Sequence, residues 1–339
     1  MKICIIYSSP KLGDIMLHLP FIKAISDKYN KKVSICINQC IGIKKILNSQ
    51  VYIDHVIENY FRRGKFFLKD HFKLYQEVKK NNFTHVFILE KTKGTAMACF
   101  FSGIKYIYGF GIGSQKFFVN TKYFLERNDL RYNYTDQSIK FLSKFNIFVN
   151  FNQKFLTIKS NEKNYYKKKF LKFPRPWISL GVDSTETNRV WPQKKFSNLC
   201  DGIINKKKAG TIFVISGNDH TNYFKNIQIN SKYPHQFFNC KKFNRSELIY
   251  LIDICDYFVG IDSGPSCIAG ALKKKTFCII GPTDASLLRF QSMKKIISNF
   301  YDKKREIGLV RCGDNFDKTD KEVKTITVNK VFDTIMKNL

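Results

Sequence analysis

The stretch from Tyr257 to Thr283 reads YFVGIDSGPSCIAGALKKKTFCIIGPT and sets two strand-to-loop transitions around a glycine-containing turn. A buried-type strand over 257–261 runs into Asp262-Ser263-Gly264-Pro265 and on into a helix of small residues. A second apolar strand over 275–280 closes on Gly281-Pro282-Thr283-Asp284. Two neighbouring strands that end in such loops put both loops on one edge of a parallel sheet, the edge where open α/β sheets bind ligands. A helix start at that edge exposes unpaired backbone N–H groups and the positive end of the helix dipole, which together attract phosphate. On spacing alone, a plain turn with a helix cap accounts for Asp262-Ser263-Gly264-Pro265 equally well.

The N-terminus repeats the arrangement. Residues 2–7 form an apolar strand and 8–13 a loop of small, turn-forming residues. Asp14 then opens a helix carrying Ile15, Leu17, Leu19, Phe21, Ile22 and Ile25. Asp14 falls at or just inside a helix N-terminus, where an N-cap is the ordinary role of an aspartate. A carboxylate at the top of the first strand could also take a proton from a hydroxyl nucleophile, and both readings stand at this stage.

Strand and helix patterns alternate through both halves of the 339 residues, a length that suits two domains with separate cores. Strands are expected at 32–37, 85–89 and 106–110, then at 177–182 and 211–217, besides those already named. Such alternation predicts α/β domains with parallel sheets and helices on both faces. Two prolines in Phe173-Pro174-Arg175-Pro176 follow a lysine-rich helical segment and read as a linker. The expected division is therefore a first domain over 1–172, a second over 173–326, and a final helix over 327–339 that could return to pack on the first domain.

Lys and Arg number 58 against 27 Asp and Glu, a formal net charge of +31. Nucleic-acid binding, attraction to an anionic membrane or glycolipid, and compositional drift toward lysine all account for such an excess. No zinc-ligand spacing or RNA-binding aromatic motif is visible and the basic residues are scattered, so no specific nucleic acid is expected. Runs such as Lys167-Lys168-Lys169 and Lys273-Lys274-Lys275 read as solvated faces. The ten cysteines include no CxxC pair, and Cys36 with Cys40 alone is weak ground for a metal, so none is expected. Small core residues of a reduced, cytoplasmic protein are the better reading. No apolar run approaches membrane-spanning length, which leaves at most a peripheral membrane contact.

Several motifs in order resemble glycosyltransferase family 9, the ADP-heptose:lipopolysaccharide heptosyltransferases. They are Gly13-Asp14 with Pro20 following, Gly109-Phe110, Arg189-Val190-Trp191-Pro192, Asp262-Ser263-Gly264-Pro265 and Gly281-Pro282-Thr283-Asp284. The resemblance runs over nearly the whole chain. It implies a GT-B fold, two Rossmann-like domains facing across a cleft, with the nucleotide-sugar mainly on the second and the acceptor mainly on the first. It also implies an inverting, metal-independent transfer of a heptose or related sugar, ADP-heptose being the expected donor, to a lipopolysaccharide core or other surface glycan. No cofactor is implied beyond the nucleotide-sugar substrate.

Carried onto this chain, the resemblance makes Asp14 the general base and Arg189 the cation that neutralises the departing diphosphate. The family usually has Lys at that position, and Arg keeps the charge while favouring bidentate phosphate contact. Ser184 and Thr185 become phosphate donors, although loop residues of this type are as often simple turn formers. Ser263, Gly264 and Pro265 form the phosphate cradle, and Asp262 faces the sugar. Asp219 becomes a ribose contact, with an N-cap as the competing role. Gly13, Glu90 and Lys91 become acceptor contacts, Glu90 and Lys91 lying where the family often has an Asp-x-Gln-Gly-like stretch. Cys267 stands where a His is usual, so either the donor contacts differ or the sugar differs. A GT-B nucleotide-sugar epimerase and a non-catalytic GT-B module that binds nucleotide or membrane are the alternatives. The first would need a second carboxylate that the sequence does not place beside Asp14.

Overall fold

The computed structural model describes residues 1–38, 42–59, 68–120, 123–217, 222–307 and 319–339. The chain divides into two compact units, Met1–Asn150 and Phe151–Leu339.

In the first unit β1 (Ile3–Ile6), α1 (Leu12–Tyr29), β2 (Val33–Asn38), α2 (Lys44–Asn48), β3 (Ile53–Asn59), α3 (Leu68–Lys80), β4 (His85–Ile88), α4 (Lys93–Phe101), β5 (Tyr106–Gly109) and α5 (Tyr134–Ser143) follow in order. The strands form one sheet in the order β3-β2-β1-β4-β5. Every pairing is parallel, with Ile5 of β1 opposite Ile35 on one side and Phe87 on the other. All residues of β1 and β2 are buried, as a parallel sheet covered on both faces requires. Cys4, Cys36 and Cys99 sit in this core, where burial pushes their thiols up. They are packing residues, as expected from the sequence.

The second unit adds α6 (Ser160–Phe170), β6 (Trp177–Gly181), α7 (Gln193–Asn205), β7 (Thr211–Ile215), α8 (Tyr223–Ile229), β8 (Phe237–Asn239), α9 (Arg245–Ile254), β9 (Tyr257–Ile261), α10 (Gly264–Ala271), β10 (Thr276–Ile280), β11 (Met293–Ile297), α11 (Lys321–Thr325) and α12 (Val328–Asn338). Its sheet runs β11-β10-β9-β6-β7-β8, again with parallel pairings only. Strand order reverses between β9 and β6, the kind of point at which doubly wound sheets hold ligands. Gly260 makes that junction possible, because a Cβ there would lie 2.5 Å from the Gly181 carbonyl oxygen on β6.

The expected boundary at 172/173 is corrected to 150/151. The backbone N–H groups of Phe155 and Leu156 donate to Ala271 O at 2.9 and 3.0 Å. On α6, Phe170 meets Phe213 of β7 edge-on at 5.2 Å, and Tyr166 stacks on Tyr250 of α9 at 4.7 Å. Residues 151–172 are thus cladding of the second sheet, and the prolines after them mark the entry to β6. The final helix is corrected as well. Val331 and Ile335 of α12 are buried in the second core, and a Cβ on Gly202 of α7 would lie 3.0 Å from Phe332. α12 therefore belongs to the second unit. No helix among the described residues is long and apolar enough to cross a membrane.

Candidate functional site

The chemistry gathers in two clusters, one in each unit, both beyond the C-terminal ends of central strands.

In the first unit β1 ends at Ile6 and the chain turns through 7–11 into α1. Lys11 is the N-cap of α1 and makes no side-chain capping bond. Asp14 is the third helical residue, so the N-cap reading is corrected. Its carboxylate is held from two sides instead: Ser9 Oγ donates to Oδ2 at 2.5 Å, and the Tyr134 hydroxyl donates to Oδ1 at 3.2 Å. One turn on, His18 Nδ1 lies 2.8 Å from the Asp14 backbone oxygen. A carbonyl can only accept, so Nδ1 carries the proton and Nε2 is left as an acceptor. Nε2 is buried without a hydrogen-bond partner among the described residues. The His18 ring is fully buried, stacked on Tyr7 at 3.5 Å and on Tyr134 at 5.5 Å. Burial pushes its pKa down to about 4, overcoming the hydrogen bond to Asp14, so the ring is neutral at physiological pH.

Glu90 follows β4 and braces this loop. Its carboxylate accepts from the backbone N–H and the hydroxyl of Ser8, and from Thr95 Oγ1 at 3.3 Å. Desolvation raises the carboxyl above its ordinary range, against the lowering effect of the Ser8 bonds. The buried Gln115 side chain ties Glu90 in turn, donating to its backbone oxygen at 2.8 Å and accepting from Gly111 N at 2.9 Å. Lys91 is exposed beside this brace, and Gly13 is the second residue of α1. The structure thus joins Gly13, Asp14 and Glu90 through one loop, and gives Glu90 a supporting part.

In the second unit Arg189 lies in the 3-10 turn Thr187–Arg189 after β6, and its guanidinium donates to Asp262 Oδ2 at 3.2 Å. Asp262 is 3% exposed at the end of β9, anchored by its amide to Ile279 O. Ser263 follows as the N-cap of α10, its N–H donating to Ser266 Oγ at 3.2 Å, with Gly264 and Pro265 in the first turn. A cation, a buried carboxylate and a helix N-terminus therefore share one sheet edge, a geometry suited to a phosphate-bearing ligand. Ser184 Oγ accepts from Glu186 N at 3.2 Å, and Thr185 is exposed on the same loop. Asp219 lies outside the described residues. Cys267 is buried in α10, and the fully buried Trp191 donates to Ile326 O at 3.0 Å as a packing residue.

Sequence reasoning missed Ser9, His18, Tyr134 and Gln115 in the first cluster. Only His18, one helical turn after Asp14, carried a local signal. It also passed over the hydroxyls of Ser216 and Thr283, buried past the ends of β7 and β10 without partners among the described residues.

The sequence pattern of glycosyltransferase family 9 (heptosyltransferase) matches residues 71–313, which hold Glu90, Arg189 and the Asp262 loop. The chain belongs to glycosyltransferase family 9. Asp14 precedes the matched segment. Lipopolysaccharide heptosyltransferase 1 of Campylobacter coli is 31% identical over 123 residues, which span 35% of this chain and 36% of that protein. Among solved structures, E. coli ADP-heptose lps heptosyltransferase II superimposes with a TM-score of 0.75 at 15% identity, covering 99% of this chain and 98% of that one. E. coli heptosyltransferase WaaC with ADP gives 0.72 at 14% identity, covering each chain completely. At these identities the likeness shows the fold, which is the α/β GT-B fold of two Rossmann-like domains.

Proposed function

We propose that this family 9 member transfers a heptose or related sugar from a nucleotide-diphosphate sugar, ADP-heptose by preference, to a hydroxyl of a lipopolysaccharide core or other surface glycan, with inversion. The observation that carries the reading is the Arg189–Asp262 pair at the start of α10. It puts a fixed cation beside a phosphate-attracting helix end on the second sheet.

Asp14 takes the proton of the acceptor hydroxyl as that oxygen attacks the anomeric carbon. The new C–O bond forms on one face of the sugar while the bond to the diphosphate oxygen breaks on the other, and the electron pair leaves with the nucleoside diphosphate. Arg189 and the backbone around Ser263 and Gly264 neutralise the charge that builds on the leaving group. That role is assigned to protein groups, so the reading calls for neither a metal ion nor a cofactor. Ser184, Thr185 and Asp219 remain donor-side proposals, Gly13 and Lys91 acceptor-side ones, and Glu90 enters through its hold on the loop. In this reading the enzyme works in the cytoplasm, in peripheral contact with an anionic membrane.

Calorimetric titration with ADP, UDP, GDP and CDP, without metal and then with magnesium, tests the donor assignment. Selective binding of ADP without metal is the expected result. Preference for UDP would move the donor, and no binding by folded protein would leave a module without turnover.

A further inference from the structure

The 35 residues from Lys91 to Leu125 contain five lysines and no Asp or Glu. They also carry three of the first unit's half- or more-exposed phenylalanines. Phe100 and Phe101 end α4 at 50% and 65% exposure, and Phe117, in the 3-10 turn Gly113–Phe118, is 69% exposed. Phe100 and Phe101 cluster with Phe118, next in sequence to Phe117: Phe118 lies 5.9 Å from Phe100 and 6.3 Å from Phe101, which are 5.5 Å from each other. Lys93 sits over the Phe118 ring at 5.8 Å and Lys116 over Phe117 at 5.2 Å. Lys105, on the turn that follows α4, is exposed.

We infer that this face, the end of α4 with the turn 113–118, is a docking surface for an anionic lipid bilayer. Large apolar rings among lysines, with no acidic residue along the segment, combine the two terms of interfacial binding, buried apolar area and attraction to anionic headgroups. A second copy of the chain would bring like charges together on the same patch. A base-stacking platform needs open, parallel ring faces, whereas Phe100 meets Phe101 at 82° and Phe118 at 76°, edges against faces. The inference rests on the proposed action at a glycolipid-bearing membrane and gives the proposed membrane contact a place.

The test is sedimentation of the full chain with vesicles of phosphatidylcholine alone or mixed equally with phosphatidylglycerol, without nucleotide. Expected is partition onto the anionic vesicles that weakens as salt rises above about 0.1 M. Phe101→Ser with Phe117→Ser should lower that partition about 10-fold or more. Lys105→Glu with Lys116→Glu should lower it on anionic vesicles only, and this pair decides the matter if the Phe variant melts early. Absence of wild-type partition, wild-type partition by both variants, or capture of RNA in preference to vesicles would overturn the assignment. A sugar-transfer assay of the wild type, run alongside, separates the two readings: partition without any transfer would sink the proposed reaction and leave the surface standing.

Discussion

The Tyr134 hydroxyl donates to Asp14 Oδ1 at 3.2 Å, joining the start of α5 to the first turn of α1 across 120 residues. With Ser9 on Oδ2, both oxygens of the carboxylate are held, and its rotamer is set before any acceptor arrives. Asp14→Asn keeps the shape and removes the proposed base. It should leave donor binding intact and cut transfer roughly 100-fold or more. Tyr134→Phe should lower kcat about 3- to 10-fold, the worth of one hydrogen bond, with the donor KM unchanged. In the Asp14→Asn background the same change should have no further effect, because Tyr134 acts through that carboxylate. Steady-state kinetics of the two single variants and the double variant read this directly. Equal losses from Tyr134→Phe in both backgrounds would reduce Tyr134 to a packing residue.

Arg189 is the only cation paired with Asp262 among the described residues, and Asp262 is almost fully buried. Arg189→Ala therefore removes the proposed phosphate contact and also leaves a buried carboxylate without its counter-charge. Nucleoside diphosphate affinity should fall about 10-fold or more, and transfer should fall with it. Arg189→Lys should restore most of the affinity, since the charge is kept and only the fork geometry is lost. Titration calorimetry with ADP measures both. Unaltered affinity in the alanine variant would put the phosphate site elsewhere on the sheet edge.

Glu90 holds the β1–α1 loop through both donors of Ser8, and is itself fixed by Thr95 of α4 and, at its backbone oxygen, by Gln115. Glu90→Gln keeps the size but turns one acceptor oxygen into a donor that faces donors. The loop beneath Asp14 should loosen. The expected signature is a fall of about 10-fold in kcat with nucleotide affinity unchanged, because the donor-side residues lie in the other unit. A weakened ADP titration with normal kcat would contradict this assignment.

Much of this architecture was legible in sequence because buried parallel strands read as continuous apolar runs. β1, β6, β9 and β10 fall within a residue or two of expectation for that reason. β3, β8 and β11 escaped. β3 and β11 are partly exposed edge strands with charged residues, Asp54 and Glu58 in one and Lys294 and Lys295 in the other, and β8 has only three residues. The glycine loops marked the sheet edge, so Asp14, Arg189 and Asp262 were within reach. What local sequence could not carry was long-range pairing. Nothing around Asn133 announces that Tyr134 will meet Asp14, or that Gln115 will bridge Glu90 to Gly111. The domain boundary was misjudged because prolines mark a change in backbone direction, whereas the true division depends on which core buries Phe155 and Phe170.

The buried His18 makes stability depend on pH in a predictable direction. Its folded pKa of about 4 lies below the ordinary 6.5, so the unfolded chain binds the proton more readily than the native one. The neutral-ring contribution is complete above pH 6.5 and is lost as pH falls toward about 4, an effect on the order of 3 kcal/mol. His18→Phe retains an aromatic ring between Tyr7 and Tyr134 but cannot take up a proton. Its lost bond to the Asp14 carbonyl should lower stability at pH 7 by about 1 kcal/mol. Between pH 6.5 and 4.5 it should lose less stability than the wild type, so the two curves converge or cross. Urea unfolding at matched pH values measures the difference. Parallel curves would mean that the ring is already hydrated and free to titrate in the native protein.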